Sequence, residues 1–186
     1  GGGGDEEDGT PESSAAAFWT ASKVLSLSNW EETSNGLQRA MRVQRALIRQ
    51  GGFALSNKGS IKTLGSLRYF SLTEHGSPAD VDLFKHPLTL LRLALFLQDA
   101  LRQVKKVLRP LIVVGPSMID PNYFLVVGVT EKPQTDSIES GGNFFMQSYA
   151  RAAEQVRAHT KHGSFEGSVV QVAKTDLPEF LESLSD

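Results

Sequence analysis

The order of patterns along this chain predicts an α+β fold, a largely antiparallel sheet of about five or six strands packed by roughly three or four helices, with one long helix buried at the centre. Three observations predict it. The chain reads helix, strands, long helix, two strands, helix, strand, helix. Two connections, Asn57–Gly59 and Met118–Asn122, have hairpin length, which argues against a doubly wound parallel sheet with its long crossovers. The third observation is the stretch from Pro87 to Arg109, around which the rest is expected to be organised.

That stretch opens on Pro87, suited to a first helical turn where a missing N–H costs nothing, and Pro110 closes it. Leu88, Leu90, Leu91, Leu93, Leu95, Phe96 and Leu97 leave almost no polar side in its first half, which should be packed on most faces. The second half narrows to Leu101, Val104, Val107 and Leu108, with Arg102, Lys105, Lys106 and Arg109 facing elsewhere. At 1.5 Å per residue the whole element would be roughly 34 Å long, the diameter of a small domain.

Composition sets the outer bounds. The 186 residues suffice for one domain with a sizeable core, and the expected division is a Gly-rich, acidic, disordered tail over residues 1–14 and a single α+β domain over 15–186. A net charge of -2 gives no global attraction for nucleic acid or acidic membranes, so such binding would need a local basic patch. Cysteine is absent, which removes disulfides, thiolate catalysis and Cys-ligated metals. The best membrane candidate, Leu88 to Leu101, is interrupted by Arg92, Gln98 and Asp99 and falls short of the ~20 apolar residues a span requires. The chain opens on Gly, not Met, as after removal of a targeting segment, and suits an intracellular or organellar setting.

Taken in order, Gly1 to Ser14 includes the run Asp5-Glu6-Glu7-Asp8, read as a solvated tail. Ala15 to Leu27 is loosely helical, with Phe18 and Trp19 on an apolar edge, and Trp30 precedes the turn cluster Thr33–Gly36. Leu37 to Gln50 is an amphipathic helix. Ala40, Met41, Val43, Leu47 and Ile48 share one side of it, Arg39, Arg42, Arg45 and Arg49 the other, and Gly51-Gly52 is expected to stop it. Phe53–Leu55 and Ser60–Leu64 read as hairpin strands around Asn57-Lys58-Gly59, with a further strand over Leu67–Leu72. Ser77-Pro78 reads as the start of a short helix. Beyond the central helix, Leu111–Val114 and Tyr123–Thr130 are buried strands joined by a turn, and Lys132–Gly142 is a polar loop. Asn143 is expected to cap a helix over Phe144–His162, followed by a strand Ser168–Ala173 and a last helix, Leu177–Leu184, capped by Asp176.

No chemistry-bearing motif survives scrutiny. Gly115-Pro116-Ser117 follows a buried strand, but no phosphate-loop, dinucleotide or nucleophile-elbow pattern is present, so it reads as a turn. Glu74, His75, Asp80, Asp82 and His86 lie close in sequence, yet Pro78 and Pro87 break the segment and no rigid metal-ligand spacing emerges. His159 and His162 are placed at a helix C-terminus, where cations suit the macrodipole. No catalytic residue, cofactor or metal is assigned, and the reading leans away from an enzyme.

The specific surface feature is the stripe of Arg39, Arg42, Arg45 and Arg49, which has no carboxylate at i+3 or i+4 to neutralise it. Arg102, Lys105, Lys106 and Arg109 would extend it if the two helices lie side by side. Arginine forks suit carboxylate or phosphate partners. Trp19 and Trp30 lie outside the regular body and fit the role of partner anchors. The expected function is a non-catalytic interaction or assembly module, a subunit of a larger complex that meets an acidic protein surface. The alternative is a single-stranded nucleic-acid binder using the same stripe with Tyr69 and Phe70 as stacking surfaces. Oligomeric state is not legible.

Overall fold

The computed structural model describes residues 11–24, 29–76, 78–104, 109–130, 143–162 and 167–185. The acidic run Asp5–Asp8, the expected cap Ser77, and the loop over 131–142 lie outside them, as do Lys105 and Lys106. Contacts group the chain into two units, Gly1–Gln44 and Arg45–Asp186.

In the first unit, helix α1 covers Pro11–Val24, so it begins inside the segment expected to be tail. Helix α2 starts at Trp30. Asn29 links the two, its Nδ2 donating to the Lys23 carbonyl at 3.0 Å while its own carbonyl accepts the N–H and hydroxyl of Thr33. Phe18 and Trp19 pack edge to face with centroids 5.4 Å apart.

Helix α2 corrects the sequence reading. It runs unbroken from Trp30 to Ser56, through Gly51-Gly52, and absorbs Phe53–Leu55. A glycine in a helix interior costs only ~1 kcal/mol against alanine, and tertiary packing overrides that. Here Gly51 is buried against Phe96, whose ring fills the place a side chain would take. The helix stops where Asn57 donates both its N–H and its Nδ2 to the Phe53 carbonyl, each at 3.0 Å, and Gly59 adopts a left-handed φ of 94°. The expected hairpin turn is thus the end of a helix. The buried positions of α2 are Ala46, Leu47, Gln50, Gly51 and Ala54, while Ile48 stays exposed.

The second unit is a mixed α+β structure on a six-stranded sheet ordered β1-β2-β3-β4-β6-β5. Strands β1 (Ile61–Leu64) and β2 (Leu67–Ser71) form the real first hairpin, turning at Gly65 with φ 51°. β2 pairs parallel with β3 (Leu111–Pro116), and every other pairing is antiparallel. The parallel pair needs a crossover, supplied by the short helices α3 (Leu72–His75) and α4 (Pro78–Val81), a 3₁₀ turn at Asp82–Phe84, and α5 (Pro87–Val104). β4 spans Tyr123–Val129, β5 Thr160–Lys161 and β6 Val169–Ala173.

Because side chains alternate along a strand, the apolar runs of β3 and β4 feed two cores. On one face Phe70, Leu111, Val113, Leu125 and Val127 meet Leu90, Leu93, Leu97 and Leu101 of α5 and Leu47 and Ala54 of α2. The central stretch is therefore a helix, but with one buried face instead of the packing on most faces that its leucines suggest, since Leu88 and Leu95 are 63% and 49% exposed on the side away from the sheet-facing leucines. On the other face Ile112, Val114, Val126, Val170 and Val172 meet α6 (Asn143–Val156) and α7 (Leu177–Ser185) through Phe145, Tyr149 and Phe180. α6 is shorter than expected. Arg157 turns to φ 54° and ends it, and His159–Lys161 leave the helix for the edge strand β5.

Candidate functional site

The arginine stripe is built on α2. Arg39 and Arg42 are exposed on the first unit's part of the helix, and Arg45 is exposed on the next turn. Arg49 leaves the set: its Nε donates to Asp80 Oδ2 at 3.0 Å and its Nη2 to Oδ1, a two-pronged pair. Asp80 is buried and also accepts Gln50 Nε2 at 3.0 Å. The Arg49 guanidinium, aided by Gln50, holds the Asp80 carboxyl below the usual carboxylate range, and the pair raises Arg49 in turn. This pair ties α2 to α4, so Arg49 is a structural residue first.

The predicted extension on α5 is reduced in the same way. Arg109 donates from Nη1 to the Gly65 carbonyl at 2.8 Å, bracing the β1–β2 turn, and its own carbonyl accepts Gln98 Nε2. Arg102 is exposed near the end of α5. Trp19 and Trp30 are 62% and 77% exposed, well beyond the ordinary exposure of a tryptophan.

The cluster from Glu74 to His86 does not converge. Glu74 takes Lys62 at 3.1 Å, Asp80 takes Arg49, Asp82 takes Lys85 at 2.8 Å, and His86 Nδ1 accepts the Leu88 N–H. Among the described residues no group of three His, Asp or Glu side chains is placed to hold a metal ion. No helix among them is long and apolar enough to cross a membrane.

His159 and His162 are not at a helix end. His159 is pinned by Asp176, whose Oδ2 accepts the His159 backbone N–H at 2.8 Å and contacts Nδ1 at 2.9 Å. Asp176 does stand at the start of α7, its carbonyl accepting the Phe180 N–H, but its carboxylate serves β5. The His159 N–H and the Thr175 hydroxyl lower its pKa to about 2. On the same edge Lys161 donates to Asp120 at 2.7 Å and lies 4.0 Å above the Tyr123 ring. Ser117 forms the expected turn: its hydroxyl donates to buried Gln171 Oε1 at 2.7 Å and accepts the N–H groups of Ile119 and Asp120 at 3.2 Å. That turn exposes Met118 and Ile119, by 63% and 66%, a feature that the sequence reading passed over. A β-turn with two adjacent large apolar residues was the available signal.

Comparison with known proteins gives a consistent result. The CDC45 family model matches residues 3–186. The cell division control protein 45 homolog of Dictyostelium discoideum is 36% identical over 149 residues, 80% of this chain and 22% of that protein. The homolog of Schizosaccharomyces pombe is 31% identical over 165 residues, 83% of this chain and 25% of that protein. The crystal structure of CDC45 from Entamoeba histolytica has the same fold, with a TM-score of 0.62 at 23% identity, covering 98% of this chain and 34% of that one. The chain spans about a quarter of the length of these two curated relatives. Matched by the family pattern over all but its first two residues, the chain belongs to the CDC45 family.

Proposed function

We propose that this chain is a non-catalytic assembly part of a CDC45-type cell-division factor, one that works inside a multi-protein DNA-replication complex. The observation that carries the reading is the exposure of Trp19, Trp30, Arg39, Arg42 and Arg45. Among the described residues, none of these three arginines has an ion-pair partner. Large aromatics and arginines are the residue types that dominate protein interfaces, and guanidinium forks fit the carboxylates of an acidic partner.

Nucleic acid remains the second reading, since the same three arginines would serve phosphates. The loss of Arg49 and Arg109 to internal contacts shortens the basic face and favours a protein partner. The test is the double change Arg42→Glu and Arg45→Glu in a full-length family protein, followed by quantification of co-purifying protein and nucleic acid. Release of protein partners with unchanged nucleic-acid content is the expected result. Retention of every protein partner would overturn the reading, and a salt-dependent loss of DNA alone would transfer it to nucleic acid.

A further inference from the structure

Helix α2 passes through two glycines, and the fold uses only one of them. At Gly51 the Phe96 ring takes the place of a side chain. At Gly52 there is open space: among the described residues, a Cβ there would meet nothing within 4 Å. Glycine is the poorest helix former after proline, and Gly52 lies a full turn inside the helix end at Ser56. A bare backbone that no packing explains points to something outside the chain that comes close to it.

Arg45, Ile48, Gly52 and Leu55 follow one another at spacings of three, four and three, which puts them on one face of the helix. Ile48 and Leu55 are 56% and 39% exposed, while their neighbours Leu47 and Ala54 turn into the core. Two large apolar side chains with bare backbone between them make a notch. Leu55 also walls a cleft of about 360 Å³ together with Ala54, Ile61 and Leu101. The charge around the notch is of one sign, because the sequence from Arg45 to Thr73 holds five cations and no carboxylate. Arg49 and Lys62 are answered by Asp80 and Glu74. Arg45 and Lys58 have no ion-pair partner among the described residues. One stands a turn before Ile48 and the other lines the Leu55 cleft, so the notch has a cation at either end.

We propose that, given a protein partner as read above, this face docks an acidic amphipathic helix of that partner. A helix fits because α2 keeps its mid-helix N–H and C=O groups in its own ladder, so no strand can be added to it. Apolar side chains three and four apart on the incoming helix would straddle Ile48 and Leu55, and the bare backbone at Gly52 lets that ridge come close. Carboxylates beside the ridge would meet Arg45 and Lys58, and the guanidinium fork favours them over neutral groups. A nucleic-acid strand suits the face poorly, because its cations stand at two ends with aliphatic surface between them.

The experiment puts the photo-reactive residue p-benzoylphenylalanine in place of Ile48 in a full-length family protein within its purified complex, and identifies the cross-linked segment by mass spectrometry. The expected product is a partner segment with apolar residues three and four apart and Asp or Glu beside them. Gly52→Leu fills the notch and should lower the cross-link yield about tenfold. The urea midpoint of the 186-residue chain should stay level or rise with Gly52→Leu, because leucine is the better helix former and meets open space there. A fallen midpoint would show the notch already filled within the chain and overturn the site. No product, or a product with DNA, with another stretch of the same polypeptide, or with a segment free of carboxylates, overturns the docking of an acidic helix. A yield indifferent to Gly52→Leu does the same. Should Arg42→Glu with Arg45→Glu release the protein partners while Gly52→Leu leaves them bound, the notch fails and the protein-partner reading stands. If neither change releases a partner, both fail.

Discussion

Gly128 and Tyr149 compete for one place: a Cβ on Gly128 would lie 2.5 Å from the Tyr149 Oη and 2.4 Å from the Phe145 ring. Gly128 sits near the end of the central strand β4, and Tyr149 is fully buried on α6. The absence of a side chain lets the tyrosine lie over the strand and donate to the Ser168 carbonyl at 3.3 Å. Neither ring can retreat, because both are buried among β-sheet and α7 side chains. Burial raises the Tyr149 phenol well above its ordinary pKa, so it remains a donor at any moderate pH.

Gly128→Ala should therefore destabilise the second unit, although alanine suits a strand better than glycine. Overpacking a closed core costs ~1–3 kcal/mol. The midpoint of urea unfolding should fall by the corresponding amount, and further for Gly128→Val. An unchanged midpoint would mean that α6 moves freely against the sheet.

Arg49→Ala should destabilise the second unit, because the buried Asp80 carboxylate loses its two-pronged partner, although the 58% exposure of the Arg49 side chain weakens the effect. Asp80→Ala in the Arg49→Ala background should add less than it does alone, because the carboxylate loses most of its partners with the arginine. Chemical unfolding of the two single variants and the double variant measures this coupling, and strict additivity would remove the pair from the account of how α2 is held.

Asp176 makes the protein acid-sensitive in a defined window. Its folded pKa of about 2 lies below the ~3.9 of an unfolded aspartate, so its contribution is complete above pH ~4 and is lost as pH falls toward 2. Asp176→Asn should lower stability at neutral pH and flatten the stability profile over that window. Acid titration followed by circular dichroism checks the slope, and hydrogen exchange at the His159 amide checks the local cause.

Ser117→Ala should loosen the β3–β4 turn. The hydroxyl serves two backbone N–H groups and buried Gln171, and leaving such groups unpaired costs ~1–3 kcal/mol. The amides of Ile119 and Asp120 should exchange at least tenfold faster while those of β4 keep their protection. Equal protection in both proteins would show that the turn is held by its backbone alone.

Much of the architecture was legible because short-range physics decided it. The β-branched run Leu111–Val114 and the apolar Tyr123–Val129 have no good alternative to a central strand, and their hairpin follows from the turn residues between them. The leucines after Pro87 likewise make a helix with a buried face. The candidate face was legible only as composition. Arg39, Arg42, Arg45 and Arg49 have one periodicity, and nothing in it separates the three without an ion pair among the described residues from the one whose charge is spent on Asp80, 31 residues away.

Local pattern along the chain thus determined which segments are helix or strand wherever residue type and period agree, together with the acidic balance and the lack of thiol chemistry. Tertiary structure alone decided that α2 passes through Gly51-Gly52, since the approach of Phe96 makes a missing side chain useful at Gly51. It decided that β2 and β3 lie parallel, and that His159 leaves the helix for the approach to β5, because Arg157 ends α6 and Asp176 anchors the His159 backbone. In each case the deciding contact joins residues distant in sequence, and such contacts leave no periodic trace for a local pattern to carry.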